Sequence, residues 1–121
     1  MKFSLPQLLW YENTNLDIEL PDEWDVEYCP MRGADRPPLT PAQMEEAILN
    51  PIGTPRLRDL AKGKKRAVII FDDMSRPTRI YELAPILLKE LEAGGMREED
   101  IVFVCALGTH GALTQNEFRK K

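Results

Sequence analysis

Apolar and polar side chains alternate through much of residues 1–30. Leu16-Asp-Ile18-Glu-Leu20 and Trp24-Asp-Val26-Glu-Tyr28 each place an apolar group at every second position, the period of a strand with one face buried. Asn13-Thr-Asn15 and Pro21-Asp22-Glu23 interrupt these runs with turn-forming residues,. With Leu8-Leu9-Trp10-Tyr11 read as a further strand, they predict a small antiparallel β unit over residues 1–30. Residues 29–40 carry three prolines and a glycine in twelve positions and read as a loop.

The period then changes. Thr40-Pro41-Ala42-Gln43 predicts a helix start, with Thr40 as N-cap, Pro41 in the first turn and Gln43 closing a capping box,. Met44 and Ile48, with Ala47 and Leu49, supply its apolar face, and Asn50-Pro51-Ile52-Gly53 ends it. A second short helix runs from about Pro55 to Ala61 and stops at Gly63,. Ala67-Val-Ile-Ile-Phe71 is a continuous apolar run, short and β-branched, and reads as a buried strand,. Ile80, Leu83, Ala84, Leu87, Leu88 and Leu91 recur at helical spacing up to Gly94-Gly95,. Ile101 to Leu107 is a second buried strand, with Cys105 as a small apolar residue within it.

Strand, helix and strand at this spacing form a βαβ unit with parallel strands and a right-handed crossover. The fold class is therefore α/β: the antiparallel unit of residues 1–30, then a Rossmann-like parallel sheet within residues 31–121. Thr114-Gln-Asn-Glu117 is another capping box, but the helix it opens has only Gln115 to Lys121 to run. The sheet reads as a truncated one, whose open edge and apolar face favour self-association.

Composition narrows the class of function. A hydrophobic fraction of 43% and a charged fraction of 30% are ordinary for a globular chain,. The net charge of −4 and pI near 5.1 give no basic footprint for nucleic acid,. The cluster Lys62-Gly-Lys64-Lys65-Arg66 reads as a solvated turn. Two cysteines, Cys29 and Cys105, make neither a disulfide framework nor a zinc site,. No run is long enough for a signal peptide or a membrane span, so a cytoplasmic location is expected.

Chemistry concentrates in two loops that leave the carboxyl ends of the paired strands, where open parallel sheets bind ligands. The first, Asp72-Asp73-Met74-Ser75-Arg76-Pro77-Thr78, offers a guanidinium for a carboxylate or phosphate, two hydroxyls, and a carboxylate to orient them,. Its bland reading is a helix cap at Ser75 or Thr78, with Asp73 paired locally to Arg76. The second, Gly108-Thr109-His110-Gly111, holds the only histidine, a side chain suited to proton transfer near neutral pH. Its glycines would let the backbone approach a ligand closely. The bland reading of His110 is an incidental surface residue.

Taken in order, Asn50-Pro-Ile-Gly-Thr-Pro, Lys62-Gly-Lys64, Asp72-Asp73-Met-Ser75-Arg76-Pro77-Thr78, Ala93-Gly94, Glu99-Asp100-Ile101 and Ala106-Leu-Gly108-Thr109-His110 resemble the N-terminal domain of the nickel-pincer lactate racemase family. The resemblance spans roughly residues 40–118, and more loosely the opening strands. It implies a racemase or epimerase of 2-hydroxy acids that transfers a hydride to a nickel pincer nucleotide. It further implies that Asp73, Met74, Ser75 and Arg76 contact that cofactor, that Arg76 also binds substrate, and that His110 is one of two catalytic histidines. Lactate-specific members carry an arginine after that histidine, where this chain has Gly111-Ala112; the difference implies a larger or different hydroxy acid.

The family's cofactor-anchoring lysine, nickel-binding histidine and second catalytic histidine would lie beyond Lys121. Residues 1–121 alone are therefore expected to hold no nickel tightly and to turn over no substrate. The competing expectation is a non-catalytic module that binds a nucleotide or an organic anion.

Overall fold

The computed structural model describes residues 1–7, 14–33 and 35–121, which fall into two compact units, Met1–Pro38 and Leu39–Lys121. In the first unit, β1 (Lys2–Pro6) pairs antiparallel with β2 (Asn15–Glu19), setting Phe3 opposite Ile18 and Leu5 opposite Leu16. Lys2 and Asp17 form an ion pair at 3.0 Å on this ladder. The expected strand at Trp24–Tyr28 does not form: these residues are irregular, with Trp24 and Tyr28 about half exposed. Alternation prepares a strand face but supplies no pairing partner, and β2 pairs instead with Lys2–Pro6, whose Phe3 and Leu5 carry the same period. The expected strand at Leu8–Tyr11 lies outside the described residues.

In the second unit, α1 (Pro41–Leu49) starts at the expected capping box: Thr40 Oγ1 accepts from Gln43 N–H, and Thr40 N–H donates to Gln43 Oε1 at 2.9 Å. Met44 is buried and Ile48 and Leu49 are half-buried, as an amphipathic helix requires,. α2 (Leu57–Ala61) and α1 both pack against α3 (Ile80–Ala93). β3 (Ala67–Asp72) precedes α3 and β4 (Ile101–Ala106) follows it, and the two form a parallel pair in register from Ala67–Ile101 to Asp72–Ala106. A 3₁₀ turn at Glu98–Asp100 leads into β4, and α4 (Gln115–Lys120) follows it.

The small core consists of Ala61, Leu91 and Met96, with Leu57, Ala67, Ile69 and Ile101 packed on it. All sheet contributors to it come from odd-numbered positions, because side chains alternate across a strand. The even positions Val68, Ile70, Val102 and Val104 form an exposed apolar face, Ile70 at 71%. The two strands are thus half-covered rather than buried on both faces. Their apolar runs match a parallel strand built to be covered twice, but the described helices that pack on them share one face.

Two features brace the α2–α3 contact. Glu90 is 1% exposed and accepts from Arg58 Nε at 3.0 Å and Arg56 Nη2 at 3.1 Å. These bonds, Arg58's foremost, overcome the burial penalty and hold its carboxyl at about 2, against an ordinary 4.5,. The end of α3 is a Schellman motif: Met96 N–H donates to Leu91 O and Gly95 N–H to Glu92 O, with Gly95 left-handed at φ +89°,. Its hydrophobic contact, Leu91 with Met96, is the core itself.

Candidate active site

The loops at the ends of β3 and β4 form one crevice of about 230 Å3, lined by Asp72, Asp73, Arg76, Ala106, Leu107, Gly108, Thr109 and His110. The parallel register sets this up, since Asp72 stands opposite Ala106 and both strands end together. Each loop then turns tightly. Arg76 N–H donates to Asp73 O at 3.2 Å in the first, and His110 N–H donates to Leu107 O at 3.0 Å in the second. The second turn passes through Gly108 at φ +58°, a conformation costly for a residue with a Cβ.

Asp73 is the centre of the arrangement. It is 5% exposed, and both its oxygens are engaged. Oδ1 accepts from Ser75 N–H at 3.0 Å and Ser75 Oγ–H at 2.6 Å, closing an Asx-type turn,. Oδ2 faces His110 Nδ1 within hydrogen-bond distance. The Ser75 hydroxyl, then His110, outweigh burial and hold the Asp73 carboxyl at about 2, so it is ionised at neutral pH. An ionised carboxylate only accepts, so Nδ1 carries the shared proton and Nε2 is left for other chemistry. The His110 side chain is about half exposed.

Arg76 is exposed. Its guanidinium has no hydrogen-bond or ion-pair partner among the described residues. The local Asp73–Arg76 pair considered from sequence is therefore not made. Ser75 and Thr78 do not cap α3 either: Arg79 stands at the N-cap with no side-chain cap bond, while Thr78 Oγ1 donates to Asp72 Oδ2 at 2.7 Å. Met74 is half-buried and Ser75 exposed. His110, Asp73, Ser75 and Arg76 thus lie on two adjoining loops, and His110 is tied into the structure rather than incidental on its surface.

Sequence reading missed Lys121. Its side chain is wholly buried; Nζ lies 2.8 Å from Asp72 Oδ1 and donates to Arg76 O at 2.9 Å. Burial raises the Asp72 carboxyl, but the Lys121 and Thr78 hydrogen bonds outweigh it and the net displacement is downward. No period in the sequence marks Lys121, because a lysine at a helix end is ordinarily solvated. Glu90 did carry a signal: it stands seven residues after Leu83, on the apolar stripe of α3,.

The crevice carries one guanidinium, Arg76, beside the carboxylates of Asp72 and Asp73. Its volume lies below the roughly 300–1,000 Å3 of pockets that enclose a whole small molecule,. Among the described residues, no three of histidine, cysteine, aspartate and glutamate come together to hold a metal ion.

Residues 11–121 match the sequence family described as lactate racemase N-terminal domain. Over 78 residues the chain is 38% identical to the lactate racemase of Thermoanaerobacterium thermosaccharolyticum and 36% identical to that of Lactiplantibacillus plantarum. Each match takes up 64% of this chain and 18% of the relative. The structure of the lactate racemase apoprotein from T. thermosaccharolyticum superposes with a TM-score of 0.60 at 31% identity, covering 97% of this chain and 26% of that one. The chain thus spans a minor part of the length of these relatives.

Proposed function

The chain belongs to the lactate racemase N-terminal domain family, and from that premise we propose that it builds one wall of the active site of a 2-hydroxy-acid racemase or epimerase. The observation that carries this reading is the Asp73–His110 pair, set on the same crevice as the Arg76 guanidinium, which has no partner among the described residues. Arg76 receives a carboxylate or phosphate in a two-pronged contact. Nε2 of His110 takes the hydroxyl proton as the α-carbon gives up its hydride, and returns it in the reverse step. Asp73 holds the imidazole in the tautomer that leaves Nε2 as base, and offsets the imidazolium formed in turnover.

The Arg76 guanidinium on the crevice would suit the anionic part of a nickel pincer nucleotide,, with Met74 and Ser75 its neighbours in the same loop. When bound, that group would supply a reversible hydride acceptor. Among the described residues, no three His, Cys, Asp or Glu side chains cluster as a metal site; the roles proposed for this chain's own residues are anion binding and proton transfer. Inversion follows if the flat 2-oxo acid regains its hydride on the opposite face. Gly111 beside His110 leaves room for an acid bulkier than lactate. Among the described residues, no helix is long and apolar enough to cross a membrane; unpaired Cys29 and Cys105 accord with the reducing cytoplasm,.

In a racemase containing this domain, His110→Ala should lower turnover by about two to four orders of magnitude, the usual contribution of a positioned acid–base group, and leave nickel content unchanged. Chiral chromatography of the hydroxy acid and metal analysis measure the two. Unchanged turnover removes His110 from the chemistry.

A further inference from the structure

We propose that Lys121 is a positioning residue for Arg76, fixing the backbone of the anion-binding loop from beneath. The inference rests on the reading of Arg76 as the anion clamp. Two hydrogen bonds and one ion pair carry it. Lys121 Nζ donates to Arg76 O at 2.9 Å, the same ammonium pairs with Asp72 Oδ1 at 2.8 Å, and the Lys121 main-chain oxygen accepts from Tyr81 N–H at 2.8 Å. One residue therefore holds the loop at its start on β3, at its middle, and at its exit into α3.

The chemistry fits positioning better than direct ligand binding. The Lys121 residue is 1% exposed and does not line the crevice. Its charge is matched by Asp72, so it adds little net charge to the site. The peptide of Arg76 is bonded on both sides, through its N–H to Asp73 O and through its C=O to Lys121. Only the guanidinium stem then remains to be ordered when an anion binds, which reduces the entropy lost on binding. α4 delivers the lysine: its capping box sets its start, and Phe118 meets Phe71 edge-on with ring centroids 6.0 Å apart.

The test compares wild type, Arg76→Ala, Lys121→Met, and the double variant Asp72→Asn/Lys121→Met. Inorganic phosphate binding is followed at the Arg76 Nε–Hε resonance (by perturbation of neighbouring amides in Arg76→Ala), and amide exchange is followed across residues 73–79. The double variant removes both charges, so it should recover most of the melting temperature lost by Lys121→Met. A positioning role predicts that phosphate affinity nonetheless stays about tenfold down, the scale of a lost hydrogen bond from a charged group, with exchange at Arg76 faster. Recovery of affinity and exchange protection together with stability would show that Lys121 only stabilises, and overturns the inference. If phosphate binds equally to wild type and Arg76→Ala, the clamp reading fails, and exchange at Arg76 alone then decides whether Lys121 orders the loop.

Discussion

Gly94 and Gly95 end α3 for two different physical reasons, and alanine at each separates them. Gly94 has φ −83°, which any residue adopts, but a Cβ there would stand 2.5 Å from Arg58 O and 2.7 Å from the Ala61 Cβ. Normal van der Waals contact needs most of an ångström more, and the obstacles are backbone and a core residue rather than a flexible tip. Helix α2 must therefore move away from α3, against the Arg58–Glu90 bonds that tie them. Overpacking of this kind costs about 1–3 kcal/mol, and the stiffer unfolded chain returns about 0.4–1. A net loss of about 1–2 kcal/mol remains, with each kcal/mol worth about 4–8 °C in a domain of this size.

Gly95 has open space around it but φ +89°. Alanine there carries only the left-handed penalty of about 1–2 kcal/mol, again reduced by the unfolded-state gain. The sharper contrast uses asparagine, which visits the left-handed region. Gly95→Asn should be close to wild type, whereas Gly94→Asn should be worse than Gly94→Ala. Urea denaturation of the four variants gives the order. A Gly94→Ala protein as stable as wild type would refute the close α2–α3 approach, and an equal cost for asparagine at both positions would refute the division of roles.

Acid should weaken the fold in a defined window. Asp73 and Glu90 are both held at about 2, below their ordinary 3.8 and 4.5. Their contribution is complete above the ordinary values and disappears as pH falls toward 2. Glu90→Gln should lower the urea midpoint at pH 7 and flatten its decline between pH 4.5 and 2; an unchanged slope removes Glu90 as a linked group. The two capping boxes offer a matched pair: Thr40→Ala and Thr114→Ala should each cost about 1 kcal/mol. Only Thr114→Ala should also speed amide exchange in residues 73–79, by freeing α4 and Lys121; equal exchange in both would disconnect α4 from the loop.

Local rules were enough to place most of the elements. The capping boxes at Thr40 and Thr114 are set by side chains three residues apart, and the period of α3 by its own leucines. The parallel β3–β4 pair follows from the length of the connection between them. The two site loops were likewise legible, because residues that leave a strand end cannot avoid the sheet's carboxyl edge. Period alone could not assign partners. Trp24–Tyr28 alternates as well as β2 does, yet Lys2–Pro6 takes the pairing, since a strand is stabilised by its neighbour and not by its pattern.

The same limit applied within the site. The residue types suggested Asp73 with Arg76, whereas the turn through Gly108 brings His110 to Asp73 and leaves the Arg76 guanidinium without a partner among the described residues. Lys121 and Asp72 are far apart in sequence and gave no sign of each other. Only the tertiary structure, by burying an ammonium where a carboxylate and a carbonyl could satisfy it, decided that they meet beneath the loop.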